Sequence, residues 1–148
     1  MDLVKTILPP LLVSMAWAQG LSLTIGNSVA SQNSGFSKTA SFLFRVNGCS
    51  DLSKAQVAGT AEGIVGGARR STPLRLAPIQ PPGVYAISQQ WSDDGNWVVA
   101  ITATCMNETA AAIVPVNGRA FVRESTQMLP HAPSQAEIET ALKTSRTQ

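Results

Sequence analysis

Between Gly83 and Cys105 the chain runs GVYAISQQW, then SDDG, then NWVVAITATC, and no other stretch limits the fold as tightly. In the second run Trp97, Val99, Ile101, Ala103 and Cys105 share one side, while Val98, Ala100, Thr102 and Thr104 share the other. Successive side chains alternate across a pleated strand, so a period of two marks a strand with one face on a core. The first run places Tyr85, Ile87 and Trp91 together. Asp94-Gly95 between the runs tolerates positive φ, and the pattern predicts a β-hairpin. A ribbon carrying two tryptophans and a tyrosine is not stable alone in water; a second sheet has to cover it.

The remaining strands follow from the same alternation. Leu21 to Ile25 is a short alternating piece inside a segment rich in Ser, Asn and Gly, and Gly26 to Lys38 has the composition of a mobile linker. Ser41 to Val46 puts Phe42, Phe44 and Val46 on one side and predicts a core strand ended by Asn47-Gly48. Ala55 to Val65 alternates small apolar with polar residues, and Gly66-Gly67 reverses the chain. Arg69 to Leu76 reads as a strand with Leu74 and Leu76 inward and Arg69, Ser71 and Arg75 outward. Pro73 has no amide hydrogen, which assigns that strand to a sheet edge. Pro78, Pro81 and Pro82 then interrupt the chain. Met106 to Thr109 reads as a loop, Ala112 to Val116 as a strand, and Arg119 to Arg123 as its continuation after Asn117-Gly118. Ser134 followed by Glu137 matches a capping box, in which each side chain satisfies the other's amide at a helix start. Ile138, Ala141 and Leu142 give that helix a short apolar stripe.

The first residues have a different character. Met1 to Lys5 is weakly charged, Ile7 to Trp17 is apolar, and Ala16-Trp17-Ala18 ends the run with small residues two apart. That is the shape of a secretory signal cleaved after Ala18, too short to span a bilayer. The expected organisation is a signal peptide over 1–18, a flexible segment over 19–40, a sandwich over 41–124, and a linker with a short helix over 125–148. The formal net charge is +2, with both signs interspersed, which gives no long-range field for nucleic acid or an anionic membrane. No nucleic-acid partner and no stable membrane insertion after cleavage are expected.

Cys49 and Cys105 are the two cysteines. In an exported chain an even count favours a bridge. It would close a loop on the order of 60 residues, worth up to about 4 kcal/mol on a chain-entropy account. The alternative is a pair of reduced, buried thiols.

Short strands, regular turns and one late helix argue for an antiparallel β-sandwich. Antibody-type details are missing: Trp91 and Trp97 lie before Cys105 rather than after Cys49, and Ala103 stands where that family has its corner tyrosine. PPGVYAISQQWSDDGNWVVAITA resembles the second half of YtkA-like domains, through Gly83, Tyr85, Trp91, Gly95 and Trp97. KAQVAGTAEGIVGGARRSTPLRL is similar to the strands that precede it there, so the likeness covers Ser41 to Val116. With the strands read above, the expected fold is all-β: an antiparallel immunoglobulin-like sandwich of about seven strands, with an N-terminal signal segment and a short C-terminal helix that lie outside the likeness. The likeness also implies a periplasmic or secreted protein of a bacterial envelope. Relatives of that shape handle copper.

Candidate chemistry is sparse. His131, the single histidine, lies in Leu129-Pro130-His131-Ala132-Pro133, a poor mount for a base. Asp93 and Asp94 suit turn positions better than a catalytic pair. Copper favours sulfur and imidazole ligands, so Met106, Met128 and His131 are the candidate metal residues beside the two cysteines. The run has no paired-cysteine, paired-histidine or methionine-rich motif, and Gln19 supplies no histidine at the mature start. Arg69, Arg70 and Arg75 form a basic group that either meets an acidic partner or protects a sheet edge. Asn107-Glu108-Thr109 fits a glycosylation acceptor, incidental in a bacterium. The residues therefore favour a non-enzymatic binding module, without a cofactor, whose partner is another envelope protein. Periplasmic copper handling is the alternative.

Overall fold

The computed structural model describes residues 20–27 and 39–146. The signal-like segment and residues 28–38 of the Ser/Asn-rich stretch lie outside them. Every strand with a clear period of two forms, and alternation decides which residues reach the core. The strands are β1 (Ser22–Gly26), β2 (Phe42–Asn47), β3 (Gln56–Val65), β4 (Ala68–Pro73) and β5 (Ala77–Ile79), followed by β6 (Val84–Ile87), β7 (Asn96–Cys105), β8 (Glu108–Asn117), β9 (Ala120–Phe121) and β10 (Gln127–Leu129). The helix α1 spans Gln135–Arg146.

All pairings among the described residues are antiparallel and make two sheets. The smaller has the order β1-β2-β6-β5; the larger has β10-β8-β7-β3-β4, with β9 on β8. The chain alternates between them: two strands in the smaller, two in the larger, two in the smaller, then the rest in the larger. Among the described residues ten strands replace the expected seven or so, because β5, β9 and β10 are short edge or end pieces with little periodicity of their own. Pro73 sits in edge strand β4, as its missing amide requires, and Pro78 sits in edge strand β5.

The inner faces pack against each other in a sandwich-like arrangement. Leu23, Ile25, Phe42, Phe44 and Ile87 of the smaller sheet meet Ala61, Trp97, Val99, Ile101, Ala112 and Val114 of the larger. Phe44 stacks on its cross-strand partner Tyr85 at 5.1 Å between ring centroids. The outer face of the larger sheet carries a second cluster, where Val98, Ala100 and Ile113 meet Ile138, Ala141 and Leu142 of α1. Ser134 and Glu137 close the expected capping box: the Ser134 amide donates to Glu137 Oε1 at 2.8 Å, and the Glu137 amide donates to Ser134 Oγ at 3.1 Å.

The expected hairpin over Gly83 to Cys105 is not formed. β6 pairs with β2 and β5, whereas β7 pairs with β3 and β8, in the other sheet. Ser88 to Gly95 is an arch from one sheet to the other. Gly95, at φ +88°, does reverse the chain, but into a different layer. Trp91 lies on the arch and fills the space between the sheets at 5 % exposure, its indole N–H donating to the Gly118 carbonyl at 2.8 Å. Trp97, 6 % exposed, donates to the Asp94 carbonyl at 2.9 Å. The expected loop at Met106 to Thr109 shrinks to a two-residue turn, since Cys105 and Glu108 already pair. β8 accordingly starts at Glu108, four residues before the expected start at Ala112.

Trp97 lies flat over Gly63, its partner in register, and a Cβ on Gly63 would collide with the indole. Gly63→Ala is expected to destabilise the fold by about 2 kcal/mol, in the range for overpacked cores. Gly26→Ala, which meets nothing within 4 Å, should stay within about 0.5 kcal/mol. Urea unfolding of the two variants checks the contrast.

Candidate functional site

The residues singled out by chemistry end up in separate settings. Cys49 and Cys105 form a disulfide with Cα atoms 5.9 Å apart. Cys49 lies on the crossing from β2 to β3 and Cys105 ends β7, so the bridge ties that crossing to the end of a larger-sheet strand. Both sulfurs are used, which leaves no thiolate there for copper(I). Met106 is exposed at the β7–β8 turn, at φ 60°. Met128 is exposed on β10 opposite Ala112, about 13 Å along the strand from that turn at the usual rise per residue. His131 turns to the helix start: its Nε2 lies 3.5 Å from Glu137 Oε2 and its Nδ1 3.0 Å from the Ala132 carbonyl. The Ser134 backbone amide, the Ser134 hydroxyl and the charge of His131 together hold the Glu137 carboxyl below the usual glutamate range. Histidine therefore belongs to the helix cap. No three His, Cys, Asp or Glu side chains converge on a metal-sized point among the described residues.

The aspartates of the arch are structural as well. Asp93 accepts from Gln89 at 2.7 Å, while the Asp94 carbonyl accepts from both Trp97 and Ser92. The basic group is divided. Arg69 donates to Glu62 Oε1 at 2.9 Å and to Gln135 Oε1 at 3.0 Å, whereas Arg75 lies beyond the end of β4.

Sequence reasoning passed over Glu62. It sits on the outer face of the larger sheet and is 4 % exposed, opposite Ser71 in register. Ser71 Oγ donates to Oε2 at 2.7 Å, and Thr60 adds another bond. Burial pushes its carboxyl up, but the bonds from Thr60, Ser71 and Arg69, with the Arg69 charge, outweigh that and hold it below the usual range. A carboxylate held ionised on all sides is a clip between β3, β4 and α1 and a poor proton donor. The available signal was the spacing of Glu62, Arg69 and Ser71 on either side of Gly66-Gly67, which makes them neighbours once the two strands pair.

A concavity lies where the chain twice changes sheets. One crossing is Leu74 to Leu76, between β4 and β5; the other is the arch after β6. Gln90 ties them together, accepting from the Arg75 amide at 2.9 Å and donating to the Arg75 carbonyl at 3.0 Å and the Ser88 carbonyl at 3.3 Å. The side-chain amide thus takes the place of a strand partner for one residue. Beside it is a cavity of about 370 Å³ lined by Arg75, Leu76, Ala77, Ala86, Ser88 and Gln90. Its lining combines apolar Leu76, Ala77 and Ala86 with polar Ser88 and Gln90 and one cation, Arg75. That composition suits holding a small apolar group with a polar end. No protein-family model, curated protein or solved structure matches the chain.

The Glu62 clip makes a prediction with a definite sign. Its carboxyl is more acidic folded than unfolded, so the unfolded chain binds more protons and the clip stabilises the fold at neutral pH. That contribution is lost as pH falls through the lowered folded value. Glu62→Gln should flatten this acid limb of a stability-against-pH profile. Arg69→Ala, which strands the carboxylate, should cost about 1–3 kcal/mol at neutral pH.

Proposed function

We propose that this chain is an exported binding module: an immunoglobulin-like sandwich that holds a partner or small ligand in a bacterial cell envelope and performs no reaction on it. The observation that carries this reading is the Cys49–Cys105 bridge between the β2–β3 crossing and the end of β7. Structural disulfides persist in oxidising compartments, which agrees with the signal-like start at 1–18. No helix of the described residues is long and apolar enough to cross a membrane.

Two antiparallel sheets around buried tryptophan, with one disulfide, support the immunoglobulin likeness. Here, however, Trp97 and Cys105 stand at opposite ends of β7, so the indole does not pack on the bridge as it does in antibody domains. The YtkA-like resemblance supplies the envelope setting. Binding is favoured over turnover because the groups that could do acid–base work are engaged in holding the fold. Glu62 is clipped by Arg69 and Ser71, and His131 joins the helix cap. The cavity at the crossovers offers walls and a cation.

Expressing the full chain in a bacterial host and weighing the product tests export directly. The expected product starts at Gln19, is recovered outside the cytoplasm, and is lighter than the reduced chain by the hydrogens of the two thiols. An unprocessed chain recovered with free thiols would overturn the reading. Replacing both cysteines with alanine should cost about 2–4 kcal/mol of stability in a chemical denaturation curve.

A further inference from the structure

We propose that the cavity between the two crossings binds a small organic monocarboxylate with an apolar tail, whose carboxylate pairs with Arg75. The proposal rests on the binding-module reading and gives that module a ligand class. Volume comes first. At about 30 Å³ per water-sized group, about 370 Å³ accommodates roughly a dozen non-hydrogen atoms, within the size range of small-molecule sites. Leu76, Ala77 and Ala86 give it apolar walls, and no carboxylate lines it.

Arg75 sets the polarity. Its backbone amide and carbonyl are both taken by Gln90, which pins the residue, while its guanidinium has no partner among the described residues. Two other guanidiniums are committed: Arg69 is locked to Glu62, and Arg123 lies 5.4 Å over the Phe121 ring. Ser88 likewise engages its carbonyl with Gln90 and leaves its hydroxyl unpartnered among the described residues. A planar guanidinium fits a carboxylate through two parallel hydrogen bonds, and the serine hydroxyl adds a donor. A single cation beside apolar walls matches a monoanion with a hydrocarbon body. A phosphate dianion would leave part of its charge unpaired.

The test uses the oxidised mature chain and octanoate as the probe, with octanol, acetate and inorganic phosphate as comparisons. Amide chemical shifts at Ala77, Ala86 and Ser88 should move saturably with octanoate. Octanol, without the charge, and acetate, without the tail, should bind at least about tenfold more weakly, as a charge-assisted pair and a buried chain each contribute. Arg75→Gln should weaken octanoate by about tenfold or more with unchanged thermal unfolding, Arg75→Lys should weaken it less, and Arg70→Gln should leave it unaltered. Three results would overturn the proposal: no shifts at these amides, equal affinity in Arg75→Gln, or phosphate binding in place of octanoate. Any of these, in a chain still exported and oxidised, would remove the ligand assignment and leave the exported module standing. Cytoplasmic retention with free thiols would remove the broader reading instead.

Discussion

Everything in the larger sheet is set by the contact between the Trp97 ring and the bare backbone at Gly63. The indole needs a flat, close surface, and in a paired strand only glycine offers one on the core face. Because a slip of one residue would turn every core side chain outward, this pair fixes the register of β3 against β7 along its whole length. Trp91 does the matching work at the end of the sandwich. Both indoles hide their rings between the sheets and give their N–H groups to loop carbonyls, Gly118 and Asp94. The loops are thereby tied to the core by hydrogen bonds that would cost free energy if left unmade.

The parts of the fold that were legible in the sequence are those governed by local rules. Alternation located β2, β3 and β7, Pro73 gave an edge strand, and the spacing of Ser134 and Glu137 gave the helix start in detail. What was not legible depends on which strand meets which. Asp94-Gly95 reports that the chain turns, and nothing in a turn motif says whether the next strand returns to the same sheet. The eight-residue arch looked like a hairpin because its tryptophan continues the apolar alternation of β6 beyond the end of that strand. Glu62 escaped notice for a related reason: on an alternating strand a glutamate reads as solvent-facing. Its burial appears only when Arg69, Ser71 and the start of α1 close over it. The cavity was invisible for the same cause, since its wall residues come from two crossings brought together by Gln90.

Polar chemistry in this molecule is spent mostly on joining elements. Glu62 links β3, β4 and the helix; Gln90 links the two crossings; Asn96 donates to the Leu142 carbonyl at 2.6 Å and anchors the far end of α1. A scaffold whose polar side chains are already engaged is rigid, and a rigid scaffold suits recognition, in which geometry has to be held without being rebuilt on each encounter. The crossover cavity fits this pattern, with a pinned backbone and an unengaged charge at its edge.

The pairing of β3 with β7 bears on how the chain reaches its fold. Strands β4, β5 and β6 lie between those partners in sequence, so the central ladder of the larger sheet closes only after a long stretch of chain has been threaded through the other layer. Loop closure of that kind is slow relative to local turns, and non-local pairings such as β3 with β7 slow the folding of β-proteins. Until the central ladder closes, the β3–β4 and β7–β8 hairpins each present an unpaired inner edge, and such edges are where incompletely folded chains aggregate.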